Sequence, residues 1–143
     1  MFKKFILVMI ICFLLLTACG GAKDIKSLSD DELNPVVSQS NIIQAKELVL
    51  QMEEVVDVKG IQYEHLLFLD PKVKQFDRLK LKHIRQEAFK RVKDEFPESK
   101  VHITTDQKIY MELEKLEQQV ANEKIDAKQL KKKVEKLEED MKG

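Results

Sequence analysis

A short apolar segment near the N-terminus, followed at once by a cysteine, sets the strongest limit on what this chain can fold into. Residues 5–16 contain no charged side chain, Lys3 and Lys4 precede them, and Leu16-Thr17-Ala18-Cys19 follows. This run is shorter than the roughly 20 residues that a membrane-spanning helix needs, and its layout is that of a secretory leader. We therefore expect the leader to be separate from the folded domain.

The four residues that end at Cys19 have the form of a lipobox, in which the cysteine is acylated and the chain is cut just before it. We expect residues 1–18 to be a lipoprotein signal peptide that is removed. The diacylglycerol and acyl chains on Cys19 would hold the protein at the extracytoplasmic face of the cell membrane without crossing it. A plain signal peptide with a cysteine near its cleavage site is the alternative.

The 125 residues that remain are enough for one ordinary domain with a small core. Cys12 leaves with the leader and Cys19 is used by the lipid, so no thiol is left for a disulfide, a metal or a nucleophile. We expect residues 19–41, which are acidic, to be a tether. Residues 42–122 then form an α+β domain, and residues 123–143 a charged C-terminal helix.

Apolar periodicity within the domain predicts the order helix, strand, strand, helix, strand. The first helix begins near Ile42, with Ser40 or Asn41 as its cap. In the first strand Val56 and Val58 lie on one face by alternation, and Ile61 and Tyr63 lie on the other. A bulge or turn at Gly60 would bring them to the same face. The long helix covers residues 75–95, and alternation in the third strand places His102 on the solvent side. Two helices should pack on one face of this three-stranded sheet.

The C-terminal segment allows two interpretations. Asp126 and Gln129 fit a capping box, and Ile125 with Leu130 fits the flanking hydrophobic staple, so we expect a new helix at Asp126. A single continuous helix is the alternative. The apolar stripe from Leu130 to Met141 either covers the open face of the sheet or pairs with a second copy or another protein, so self-association stays open.

Signals for catalysis and for metal binding are weak. His65, His83 and His102 have no metal-ligand spacing, and glycine-rich phosphate loops and Gly-x-Ser-x-Gly elbows are missing from the sequence. We therefore expect no metal, no cofactor beyond the lipid on Cys19, and no enzymatic activity. Carboxylates are plentiful, so a cell-wall-active enzyme, or a modulator of one, is the alternative function. Export argues against nucleic acid as a partner.

Residues 72–93 hold nine basic side chains against two acidic ones, whereas residues 19–54 are net acidic. A cationic helix face of this kind is suited to anionic lipid headgroups or anionic wall polymer. A solvated helix exterior, partly neutralised within the fold, is the other interpretation. The candidate contact residues are Lys74, Arg78, Lys80, Lys82, Arg85, Lys90 and Arg91.

The chain resembles the sporulation lipoproteins of the YhcN/YlaJ type from endospore-forming Bacillota. The resemblance rests on the lipobox, the acidic tether, the segment Val55-Val56-Asp57-Val58-Lys59-Gly60, the strand at residues 66–69 and the segment Val101-His102-Ile103-Thr104-Thr105-Asp106. The chain departs from many relatives in lacking a Gly/Asn-rich linker and in adding a charged terminal helix. Its element order is similar to that of small ring-building and BON-like modules.

The resemblance implies a protein anchored in the forespore or spore membrane, with a part in sporulation or germination. It supplies no catalytic residue. The partners it implies are the membrane itself and other proteins of the spore envelope. Together with the charge pattern, it leads us to expect a surface-binding or assembly module.

Overall fold

Residues 38–142 form a three-stranded sheet with helices on both faces. These are the residues that the structure describes, and the structure is a computed structural model. Residues 38–142 fall within one compact unit. The expected α+β class and element order are confirmed. In chain order the elements are α1 (Ser40–Leu50), β1 (Val55–Tyr63), β2 (Leu66–Val73), a 3₁₀ helix (Gln75–Lys80), α2 (Leu81–Glu95), β3 (Lys100–Ile103), α3 (Gln107–Ala121) and α4 (Ala127–Asp140).

The sheet has the order β1-β2-β3, so the most apolar strand is central. β1 and β2 form an antiparallel hairpin through a turn at Glu64 and His65, and Glu64 takes a positive φ of 52° there. β3 runs parallel to β2, with Leu67 opposite Val101. The parallel pairing follows from α2, which carries the chain back along the sheet before β3 begins.

Helices α1 and α2 cover the first face of the sheet, as the periodicity predicts. Leu67 and Leu69 of β2 point to this face and are fully buried. The helices bring their own apolar stripes onto these leucines. These stripes are Ile42, Ala45 and Val49 on α1, and Ile84, Ala88 and Val92 on α2.

Helices α3 and α4 cover the second face, where Phe68 is fully buried. The Asp126 capping box with Gln129 is present, α3 ends at Ala121, and the prediction of two separate helices is confirmed. The stripe on α4 packs on the same core as α3, so it covers the second face of the sheet. The helical residues of this second core are Ile109, Leu113 and Leu116 on α3, and Leu130, Val134 and Leu137 on α4.

The bulge in β1 lies between Val55 and Asp57, so the prediction of a bulge at Gly60 is wrong. The strand runs straight through Gly60 because both faces of the sheet are buried, and Val58 and Ile61 serve opposite cores. Gly60 is needed for a different reason. A Cβ there would lie 2.8 Å from the carbonyl oxygen of Phe68.

The start of α1 also differs from the prediction that Ser40 or Asn41 caps it. The helix begins at Ser40 and its N-cap is Gln39, whose side chain gives no capping hydrogen bond to the helix. The side-chain oxygen of Gln62, in β1, instead accepts from the backbone N–H groups of Asn41 at 3.1 Å and Ile42 at 3.3 Å. A residue 20 positions away along the chain therefore satisfies the helix end.

The single helix expected over residues 75–95 is in fact a 3₁₀ helix followed by α2. None of the six residues of the 3₁₀ helix is buried, so this turn packs no side chain into the core. Tertiary packing, which stabilises most helices in proteins, therefore does not hold this segment in an α-helical conformation.

The prediction that His102 faces solvent is wrong. Its ring stacks on Phe68 with centroids 4.7 Å apart, and its Nε2 lies 3.8 Å from the Glu138 carboxylate of α4. Alternation placed it correctly on the face opposite Val101, but α4 covers that face. Burial, reinforced by Lys100, lowers the pKa of His102.

Candidate functional site

The 3₁₀ helix presents three chemically different rows of side chains. Because a 3₁₀ helix has three residues per turn, side chains three positions apart lie directly above one another. The acidic and basic members of one row form an ion pair with Nζ and Oδ1 3.1 Å apart. The rows are Gln75 with Arg78, Phe76 with Leu79, and Asp77 with Lys80.

The apolar row is almost entirely in solvent. Phe76 is 94% exposed and Leu79 is 100% exposed, whereas no other large apolar side chain in residues 38–142 is more than 58% exposed. Single exposed apolar residues are ordinary on protein surfaces. Two of the bulkiest, adjacent on one short helix and flanked by cations, are typical of an interaction surface.

The seven candidate cations divide into two groups. Lys80 pairs with Asp77, Arg91 pairs with Glu87 at 2.9 Å, and Arg85 donates to the Thr105 hydroxyl at 2.7 Å. These three charges are at least partly committed within the fold. The remaining four are exposed and have no carboxylate within 4.0 Å among the described residues; they are Lys74, Arg78, Lys82 and Lys90.

A network around Tyr110 of α3 supports the strand end from which the 3₁₀ helix starts. The Tyr110 hydroxyl donates to Asp57 at 2.5 Å, and the ammonium groups of Lys59 and Lys72 each lie 5.8 Å from the centre of its ring. Burial and the bond to Asp57 raise the pKa of Tyr110. Burial alone would raise the pKa of Asp57, but hydrogen bonds led by Tyr110 hold it below its ordinary value. The ring attracts the Lys72 ammonium, which favours a position of this side chain beside the 3₁₀ helix.

The other residues singled out in the sequence lie apart from this surface or outside the described residues. Cys19 falls outside residues 38–142. His65 is exposed in the β1–β2 turn, and His83 is exposed on α2. Within residues 38–142 no three side chains of His, Cys, Asp or Glu are grouped as a metal site would require. None of the helices in this part of the chain has the length and apolar composition needed to span a bilayer.

The apolar row was not predicted from the sequence, although the sequence contains a signal for it. At about 100° per residue, Leu79 falls about 140° from Ile84 and therefore away from the buried stripe of α2. An apolar residue placed opposite the core within a basic stretch is the pattern of a surface that meets an apolar partner.

Comparison with known proteins adds no relative. No family model, no curated protein and no solved structure matches this chain.

Proposed function

We propose that this protein is a lipid-anchored, non-enzymatic module of the extracytoplasmic membrane face that binds the surface of an anionic bilayer. The main supporting observation is the apolar row of Phe76 and Leu79, exposed at 94% and 100%. Nearby Lys74, Arg78 and Lys82 have no carboxylate within 4.0 Å among the described residues. Wall polymer would be attracted by the cations but gives no burial to the apolar row. A bilayer satisfies both, because apolar side chains enter the acyl boundary while cations stay at the headgroups.

The length of the tether is compatible with this contact. α1 starts beside the β1 end that holds Gln62, and the 3₁₀ helix follows Val73, which pairs with Val55 at the other end of β1. The nine residues of β1 separate these ends by about 27 Å. The chain between Cys19 and Ser38 reaches about 60–70 Å when extended. A lipid on Cys19 and the apolar row can therefore occupy the same bilayer.

The proposal includes the spore. The resemblance to the YhcN/YlaJ type supports a place in the forespore or spore membrane and a role in sporulation or germination. An immunoblot of membranes from growing cells, sporulating cells and purified spores tests it. Signal confined to forespore and spore membranes is expected. Equal signal in growing cells would remove the spore role and leave the membrane-binding proposal standing.

Bilayer binding is tested with residues 33–143, since this unit lacks Cys19 and cannot be held by lipid. Sedimentation with vesicles of phosphatidylglycerol and phosphatidylcholine measures the partition coefficient. Fully burying a Phe or Leu side chain contributes about 1.5–3 kcal/mol, so half-burial of both contributes about the same in total. The double variant Phe76→Ser/Leu79→Ser should therefore lower partition about ten- to a hundredfold.

The matched control is Ile43→Ser/Met111→Ser, which removes two exposed apolar side chains, 58% and 49% exposed, from α1 and α3. Its partition should equal that of the unchanged domain. If the apolar-row variant partitions as strongly as the unchanged domain, the contact is electrostatic adsorption alone and the bilayer proposal is wrong. Release of reducing ends or free amines from purified peptidoglycan by this unit would contradict the non-enzymatic part.

A further inference from the structure

A small cavity lies beside the apolar row, where the end of β2, the start of α2 and the start of α3 meet. Its volume is about 210 Å³. That is below the roughly 300–1,000 Å³ of sites for drug-sized ligands, so it suits a single small polar group. The Gln75–Arg78 row of the 3₁₀ helix faces it, and the other polar side chains around it are Asp70, Lys72, Thr105, Gln107 and Tyr110.

Asp70 is the least expected residue in this cavity. It is 2% exposed, and its Oδ2 has no hydrogen-bond partner among the described residues. Burial raises its pKa to about 8, although a backbone hydrogen bond from Asp106 opposes the shift. The side chain is therefore mainly a neutral carboxylic acid at pH 7. A buried polar atom without a partner is unfavourable and requires an explanation.

Two exposed cations line the cavity. Arg78 lies on the cavity-facing row, and the Lys72 ammonium lies over the Tyr110 ring. Neither has a carboxylate within 4.0 Å among the described residues. With Asp70 neutral, Lys72 and Arg78 outweigh the one nearby carboxylate, that of Asp106, and the charge around the cavity is net positive. An anionic group is the ligand that such a cavity attracts, and a guanidinium pairs well with phosphate oxygens.

Thr105 adds an oriented hydroxyl. Its Oγ1 accepts a hydrogen bond from Arg85 at 2.7 Å, which leaves its own proton free to donate. The carboxyl of Asp70 and the amides of Gln75 and Gln107 add groups that both donate and accept. Such neutral groups pair with hydroxyls, whereas the cations pair with phosphate. The cavity therefore combines the two chemistries of a phosphorylated polyol.

We propose that this cavity binds a polyol phosphodiester of the glycerol phosphate kind, with the phosphate against Lys72 and Arg78 and a hydroxyl against Asp70 and Thr105. The inference rests on the proposed function, since it names the headgroup that the bilayer-binding surface recognises. The same chemistry occurs in phosphatidylglycerol and in glycerol phosphate wall polymers, and vesicles and polymer are separate arms of the test.

The first measurement is calorimetric titration of residues 33–143 with glycerophosphoglycerol, a diester whose charge is constant between pH 6 and 9. Saturable binding at one site is expected. Arg78→Gln should weaken it at least tenfold, and Lys132→Gln, an exposed cation of α4 outside the cavity, should leave it unchanged. Equal weakening by both variants would mean general charge attraction and would overturn the site. Glycerol and inorganic phosphate alone should each bind more weakly than the diester.

The second measurement follows pH. Raising the pH from 7 to 9 should weaken binding as Asp70 becomes an anion, and Asp70→Asn should bind equally at both pH values. The charged groups around Asp70 are Asp106 at the α3 N-cap, Lys72 and Arg78, and burial keeps Tyr110 protonated in this range. A parallel pH dependence in Asp70→Asn would exclude Asp70 from the site. Circular dichroism confirms that each variant is folded.

The third measurement separates this inference from the proposed function. Vesicles with phosphatidylglycerol are compared with vesicles of equal charge made with phosphatidylserine, and purified glycerol phosphate polymer forms a parallel arm. Preference for phosphatidylglycerol that Arg78→Gln abolishes supports both proposals. Equal binding to both vesicles, with no binding of the free diester, overturns the cavity and leaves the bilayer surface. Binding of the diester or polymer without vesicle binding supports the cavity and overturns the bilayer surface.

Discussion

The buried carboxyl of Asp70 makes the stability of the domain depend on pH in a way that one substitution isolates. Burial raises its pKa to about 8, whereas aspartate in an unfolded chain titrates near about 3.9. Between these values the folded state keeps a proton that the unfolded state has released. The free energy of unfolding therefore falls as pH rises through this window, and the loss is complete above about pH 8.

The magnitude follows from a difference of one bound proton, which changes the free energy of unfolding by about 1.4 kcal/mol per pH unit. Asp70 should therefore cost the domain about 3 kcal/mol between pH 5 and pH 7. This is a large part of the roughly 5–15 kcal/mol of a typical domain. The variant Asp70→Asn keeps the shape of the side chain and cannot ionise.

Urea unfolding of residues 33–143 at pH 5, 6 and 7 measures this effect in both proteins. Subtracting the two profiles cancels the groups they share, including His102, whose lowered pKa gives a slope of opposite sign near its own titration. The unfolding free energy of the unchanged domain minus that of Asp70→Asn should fall by about 3 kcal/mol from pH 5 to pH 7. A difference independent of pH would show that Asp70 is already ionised in the folded domain, and the reasoning from its burial would be wrong.

Two further predictions concern packing. Gly60→Ala should lower the free energy of unfolding by about 1–3 kcal/mol, because the new Cβ meets the Phe68 carbonyl at 2.8 Å and Ile42 Cδ1 at 3.0 Å; a change below about 0.5 kcal/mol in urea unfolding would show that the strand relaxes freely. Leu137→Ala in α4 should lower the free energy of unfolding by about 2–5 kcal/mol. The control is the exposed Lys136→Ala, which should change it by less than about 0.5 kcal/mol. Equal effects of the two variants in thermal unfolding would mean that α4 does not pack on the sheet.

The fold was predictable where local pattern and packing agree. The run at residues 66–69 is apolar on both parities, so it had to be a strand buried on both faces, and β2 is the central strand. The break between α3 and α4 was predictable because the Asp126 capping box is a local signal that needs no knowledge of the rest of the fold.

The remaining features depend on contacts between residues that are far apart in the sequence. Gln62 caps α1 from 20 positions away, and His102 is buried because α4, which begins 25 residues later, covers its face of the sheet. The site shows the same limit. The basic stretch was visible, but which of its cations are committed to partners depends on Asp77, Glu87 and Thr105, and Thr105 comes from another part of the chain.

The three-residue period of the 3₁₀ helix makes the length of this segment as restrictive as its composition. Deleting or inserting one residue between Val73 and Leu81 would rotate the rows that follow by about 120°. Apolar side chains would then point toward the Asp70 cavity or occupy the row of the Asp77–Lys80 ion pair. A substitution can change one row and leave the other two unchanged. A change in length keeps every row in its place only if it adds or removes three residues. Homologous chains that keep both the apolar row and the cavity should therefore differ in this segment by zero or three residues.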